Sequence, residues 1–399
     1  MNILKGLPAL GVWLWASSTA FGATNGLAFD FTARGNAAGH PLYDAERGFG
    51  FEADAPARFS VRLPEGNYRV TVRFGDSRKR AHARVLAEQR RLMLEDIAVT
   101  KAIERSFVVN VRTANLAPLP ANATGGTKVA LKPRELGSAT WDDKLTLEFA
   151  GDAPVNSLTI ATADVPTLYL AGDSTVTDQG VAPWGSWGQM LPRFFSADIA
   201  VANHAESGET LKSFVTELRL DKLLSTLKPG DWVMIQFGHN DQKIQWPQTY
   251  AEASTTYRAW LRTYIAEVRR RGATPMLVTS PERRNFDATG HIEPSLADYA
   301  EAVRAVAHDE SVALIDLNPM SVRFYEALGP EVSPRAFADD GRDKTHHNEY
   351  GAYALARMVV EGLRTAAPKL TSGLEKHLTA DAGSFDPSHP PLPAPKTKP

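Results

Sequence analysis

The sequence predicts an α/β protein: a flavodoxin-like, three-layer domain built on a parallel five-stranded sheet, preceded by a β-sandwich domain. Three observations carry this expectation. From Leu27 to about Asp164 the chain runs in short alternating segments, among them "ARFSVRL", "NYRVTVRF", "RSFVVNVR" and "KLTLEFA", parted by Gly, Pro and Asn. Period-two alternation is the pattern of strands with one buried face. After "DVP" at 164–166 wholly apolar runs take over and alternate with stretches of helical spacing, as in parallel strands covered on both faces. At 399 residues the chain is also too long for one ordinary core.

Taken in order, residues 1–23, "MNILKGLPALGVWLWASSTAFGA", place one lysine before an apolar centre and small residues at Ala20, Gly22 and Ala23. That arrangement is a secretory signal peptide. It implies a periplasmic or secreted bacterial protein with no membrane contact once the signal is removed. The chain has no cysteine, so neither a disulfide framework nor a lipidated-cysteine anchor is available. A net charge of −2 gives no overall attraction to nucleic acid or anionic membrane.

Residues 24–164 form the expected sandwich. Tyr43, Phe49, Phe51 and Trp141 are aromatics that either stack on sugars or fill the core, and the basic run "SRKRAHARVLAEQRR" reads as a solvated face, with a polyuronide contact as its alternative. Residues 165–372 carry "TLYLAG", "DIAVANHA", "DWVMIQFG", "TPMLVTS" and "VALIDL" as buried strands, and "EYGAYALARMVVEGLRTA" as the last helix. Strand and helix in alternation imply right-handed crossovers, with ligands beyond the carboxyl ends of the strands. Residues 373–399, with "FDPSHPPLPAPKTKP", read as a proline-rich tail, extended or disordered.

Four polar segments fall on that carboxyl-end rim. In "GDST", Ser174 sits on a strand-to-helix turn, suited to a nucleophile, although Asp and Ser are also preferred helix caps. In "NHAESG", Gly208 can bring a bare N–H close to a ligand, or simply serve a turn with positive φ. In "GHND", Asn240 offers an uncharged amide donor of the kind a developing oxyanion needs. In "DDGRDKTHHNEY", Asp343 and His346 lie three positions apart, so one turn can aim the carboxylate at one ring nitrogen while the other faces the rim. His347 competes for the base and Asp340 for the acid; the compact spacing, and a helix already beginning at Asn348, favour Asp343 and His346. A metal reading would draw on Asp339, Asp340, Asp343, His346 and His347, with Asp173, His204, His239 and Asp241, but would leave Ser174 and Asn240 without a task.

Together and in this order, "GDST", "NHAESG", "GHND" and "DKTH" resemble the SGNH or GDSL-type hydrolase superfamily, over about residues 166–365. Through "GDSTVTD", "WGSWGQML", "TSPERRNF" and "THHNEYGA" the chain looks most like the rhamnogalacturonan acetylesterases, bacterial members of which often carry a β-rich domain in front. The galactose-binding-like sandwich would fill that place. The resemblance implies a carboxylic ester hydrolase that acts on acetylated polysaccharide, with Ser174, His346 and Asp343 as the catalytic triad and the N–H groups of Ser174 and Gly208 with the Asn240 amide as the oxyanion hole. It implies no cofactor and no metal. His239, Arg283 and Arg284 are the candidate substrate contacts, the arginines as partners for uronate carboxylates. One departure stands out: Gly208 is followed by "ETLKS", where better-known members tend to have an arginine-serine pair. Acetylated xylan as substrate and a non-catalytic polysaccharide-binding role are the competing readings, and the oligomeric state is left open.

Overall fold

The computed structural model describes residues 26–32, 41–75, 80–120, 122 and 125–393. The expected signal peptide, residues 1–23, lies outside them. The amino-terminal region contributes β1 (Leu27–Asp30), β2 (Phe49–Phe51), β3 (Arg58–Arg62), β4 (Gly66–Phe74), β5 (Ala81–Ala87), β6 (Arg91–Val99), β7 (Ile103–Val111), β8 (Lys144–Gly151) and β9 (Val155–Thr162). There follow β10 (Thr167–Gly172), the two-residue β11 (Trp184–Gly185), β12 (Ala200–Asn203), β13 (Trp232–Gln236), β14 (Thr274–Val278), β15 (Ala313–Ile315) and the two-residue β16 (His347–Asn348).

Alternation sets the layout of the front region. In β4, Tyr68, Val70, Val72 and Phe74 are buried while Arg69, Thr71 and Arg73 face outward. The same inward rows on β1, β9 and β7 meet those of the antiparallel sheet β2-β3-β8-β5-β6 in one core that includes Phe59, Val70, Phe107, Leu147 and Leu158. Phe51 is buried in that core, edge-on to Phe59, and Phe49 packs against it, so neither is a sugar platform. Trp141 donates from Nε1 to Glu135 at 2.9 Å and lies under the Arg112 guanidinium.

The apolar runs form five parallel strands in the order β12-β10-β13-β14-β15. Side chains on β10 show why these runs need not alternate. Leu168 and Leu170 point into a core shared with the helices Leu317–Val332 and Glu349–Thr365, while Tyr169 and Ala171 point into a second core under Thr256–Arg270 and Ala297–Asp309. Each such buried aliphatic side chain contributes about 1.5–3 kcal/mol through area removed from water. This sheet is not separate from the front region. A parallel bridge between Val109 and Val201 joins β7 to β12, giving one nine-stranded sheet, β1-β9-β4-β7-β12-β10-β13-β14-β15.

The front region also grips the loop after β10. Arg91 donates from Nε to Asp178 Oδ2 at 2.5 Å, with the two side chains only 1% and 2% exposed, and Asn203 donates to the other Asp178 oxygen. Removing one partner of such a pair would leave a buried charge uncompensated. Arg90 caps the Gln179 and Trp184 carbonyls, and Arg84 pairs with Glu349 at 2.7 Å. The part of the basic run around Arg84–Arg91 is therefore an internal contact and not a solvated face, because its arginines find carboxylates and carbonyls across the seam.

The tail departs from expectation as well. Leu374, Ala382 and Phe385 are buried in the core beneath the parallel strands. Main-chain bonds from Thr379 to the Phe194 carbonyl at 2.8 Å and from Ser196 to the His377 carbonyl at 2.8 Å hold the segment down. Its spaced apolar residues, masked in the sequence by the prolines that follow, supply the burial that docks it.

Candidate active site

The turn after β10 answers whether Ser174 is a cap. Asp173 does the local work: its Oδ1 accepts the N–H and hydroxyl of Thr175, each at 2.9 Å, and its carbonyl accepts from Val176 and Thr177 at 3.0 Å. Gly172 is needed for the close approach, since a Cβ there would lie 2.6 Å from Val176 Cγ2 and 2.9 Å from the Gln236 carbonyl. The Ser174 hydroxyl is left to meet His346 Nε2 at 2.8 Å.

Nδ1 of His346 lies 2.8 Å from Asp343 Oδ2, and Asp343 Oδ1 accepts the N–H groups of Thr345 and His346 at 2.8 Å each. Burial alone would raise the Asp343 carboxyl, but the hydrogen bonds from the His346 ring and from these two N–H groups hold it well below the usual carboxylate range. Asp343 thus remains a carboxylate able to fix the imidazole tautomer.

His347 points the other way. Its Nε2 meets the Tyr325 hydroxyl at 2.8 Å and its ring packs on Phe337. Burial, reinforced by His346 and His239 nearby, pushes its pKa down to about 3. An imidazole in the unfolded chain titrates near ~6.5, so in the interval below that the unfolded state binds a proton that the folded state excludes. The stability it confers is complete above about pH 7 and falls as pH drops, by up to ~1.4 kcal/mol per unit. Urea unfolding at pH 7 and pH 5 is expected to show the parent losing about 2 kcal/mol more than His347→Gln; equal losses would contradict this.

Gly208 adopts φ +84°, in the region that favours glycine. Among the described residues, neither its N–H nor that of Ser174 meets an acceptor. Asn240, at the end of the following strand, is buried; its Nδ2 donates to the Glu209 carbonyl at 3.0 Å, leaving one amide hydrogen, and its Oδ1 accepts from Lys243 at 2.7 Å. These elements can therefore present a nucleophile, a base with its orienting carboxylate, and neutral donors.

The other candidates are placed differently. His239 is buried with Nδ1 3.4 Å from Asp173 Oδ2, and among the described residues its Nε2 has no hydrogen-bond partner. Arg283 is half-buried and donates to Ser295 Oγ and the His239 carbonyl, each at 3.2 Å. Arg284 is spent inside the protein: it lies over the Phe337 ring, 5.1 Å from the centroid, and donates to the Gly341 carbonyl just ahead of Asp343. Its guanidinium thus supports the loop that carries the acid and is not offered to a uronate. Asp339 pairs with Arg342 at the surface. Among the described residues, no three His, Asp or Glu side chains are gathered as metal ligands.

Residues from the front region complete the rim. An open cleft of about 340 Å³ is bounded by His346, Ser207, Trp184 and Gln179 together with Gln89 and Arg134. Behind Ser207, a buried network links Glu209 to Lys132, Arg219 and Ser213. The position of Glu209 explains how the chain accommodates an acid after Gly208: Lys132 and Arg219 supply the cations that face it. No spacing within the sequence announces Gln89, Lys132 or Arg134, because each reaches the rim across the seam.

The relatives of the chain place it in the class of carboxylic ester hydrolases. The chain belongs to the GDSL-like lipase/acylhydrolase family, whose profile matches residues 170–354. It is 38% identical over 229 residues to the rhamnogalacturonan acetylesterase RhgT of Bacillus subtilis, covering 54% of this chain and 95% of that one. It is 31% identical over 313 residues to the uncharacterized esterase YxiM of the same organism, covering 77% and 74% respectively. The crystal structure of YxiM covers 81% of this chain and 92% of the solved chain, with a TM-score of 0.48 at 26% identity.

Proposed function

We propose that the protein is a secreted carbohydrate esterase that removes acetyl groups from rhamnogalacturonan, with Ser174, His346 and Asp343 as its catalytic residues. The observation that carries the mechanism is the unbroken chain of 2.8 Å contacts from Ser174 Oγ through His346 to Asp343. The substrate rests on the names of relatives, RhgT and the probable rhamnogalacturonan acetylesterase YesY, 37% identical over 212 residues. The apolar and small-residue pattern of residues 1–23 supports export.

Ser174 Oγ attacks the acetyl carbonyl while its proton passes to His346 Nε2. Negative charge on the carbonyl oxygen is met by the N–H groups of Ser174 and Gly208 and by the remaining Asn240 amide hydrogen. The intermediate collapses as His346 returns the proton to the departing sugar hydroxyl, leaving acetyl-Ser174. Water, deprotonated by His346, then attacks the acetyl-enzyme, acetate departs and Ser174 recovers its proton. Asp343 holds the ring and stabilises the imidazolium in both halves.

Asn240→Ala is expected to lower turnover by about 10²–10³-fold through loss of one preorganised donor, measured with a chromogenic acetate ester. An unchanged rate would remove Asn240 from the oxyanion hole. Acetate release from acetylated rhamnogalacturonan, assayed beside acetylated xylan, tests the substrate: preference for xylan would overturn the pectic assignment. Binding of polysaccharide without hydrolysis of either ester would overturn catalysis altogether.

A further inference from the structure

The oxyanion donors proposed above are amides, and each amide has a second end. The peptide that carries the Gly208 N–H carries the Ser207 carbonyl on its opposite side, because the unit is trans and planar. That carbonyl accepts from Lys132 Nζ at 2.8 Å and from the Arg134 guanidinium. Both cations come from the segment before β8, in the front region. The Asn240 side chain repeats the arrangement, its Oδ1 accepting from Lys243 Nζ at 2.7 Å. We propose that Lys132, Arg134 and Lys243 are positioning residues that preorganise the oxyanion hole by gripping the far oxygens of its donor amides.

Geometry explains why a grip is needed. At φ +84° Gly208 is free of the Cβ restraint that would discourage rotation of the preceding peptide. Left alone, the Ser207–Gly208 unit could turn its carbonyl, and not its N–H, toward the reacting carbonyl. Two cationic donors on the Ser207 oxygen oppose that rotation, since it would forfeit both charge-assisted bonds. Lys132 is close at hand: a Cβ on Gly208 would lie 3.7 Å from its Nζ, an ordinary contact distance. Lys243 likewise sets which end of the Asn240 amide is the donor, and the Trp246 ring, 4.8 Å from its ammonium, restrains it.

Orientation outweighs added charge here. Lys132 is paired with Glu209, and Arg134 with Glu206 at 2.6 Å, so most of their field is offset. What remains is direction, the quantity on which a preorganised site depends. The front region thereby acts on the chemical step.

This inference rests on the Ser174 mechanism, and its test separates the two. Lys132→Met, Arg134→Met and Lys243→Met keep an apolar stem and remove the donor. With 4-nitrophenyl acetate, each is expected to lose about 10-fold in kcat/KM, short of the ~10²–10³-fold that follows removal of a donor outright. Affinity for a boronic acid, which becomes a tetrahedral anion on the nucleophile, should fall by the same factor, and Lys132→Arg should recover part of the loss. Lys243→Met should cost nothing further in an Asn240→Ala background, because it acts through that amide. Arg134 and Lys243 are partly exposed, so their variants remain informative if Lys132→Met does not fold. Folded variants with unchanged kcat/KM and boronate affinity, or additive losses in the Lys243–Asn240 pair, would overturn the inference. A Ser174→Ala control that still hydrolyses the ester at the parental rate would overturn the underlying mechanism instead.

Discussion

Replacing Ser174 by alanine is expected to reduce turnover of an acetate ester by roughly 10⁴–10⁶-fold. Without the hydroxyl no acetyl-enzyme can form, and His346 and Asp343 have no proton to move for it. What survives is the contribution of the oxyanion donors to direct attack by water, which is why some rate above the uncatalysed background should persist. Folding should be little affected. The turn is held by Asp173, whose bonds to Thr175, Val176 and Thr177 do not involve the Ser174 side chain. Initial rates at matched concentration, with a thermal melt of each preparation, would separate loss of chemistry from loss of fold. A variant that melts as the parent does and retains its rate would dismiss Ser174 as nucleophile.

His346→Ala should be nearly as damaging, and combining it with Ser174→Ala should add little, because the residues act as a unit. The adjacent His347→Ala provides the contrast. It removes no group within reach of Ser174, but it strands the buried Tyr325 hydroxyl that meets Nε2 at 2.8 Å, a loss of about 1–3 kcal/mol in stability. The two substitutions, one position apart, should therefore separate cleanly: the first in kcat with a near-parental melting temperature, the second in melting temperature with much of the activity retained at low temperature. The reverse assignment would follow if His347→Ala lost activity at full stability.

Much of the rim was legible because it is written locally. A buried strand ending on "GDS" and a carboxylate three residues before a histidine can each be read within a single turn. The placement of His346 next to Ser174 unites positions 172 residues apart, and it follows from where parallel strands end. By contrast, the surroundings of Arg284 are not legible, because they depend on Phe337 and Gly341, which no periodicity connects to it. Arg90 and Arg91 follow the same rule: a basic run looks solvated in the sequence, and its acidic and carbonyl partners lie across a seam. Prolines hid the docking of the tail, since they dominate composition while Leu374 and Phe385 dominate burial.

The bridge between Val109 and Val201 has a practical corollary. Cutting the chain near residue 165 to obtain a smaller esterase would uncover the flank of β12, whose main-chain groups would then be free to recruit another molecule. Such a truncation would be expected to self-associate. Designs that exchange the front region should retain a β7-like strand to shield that flank.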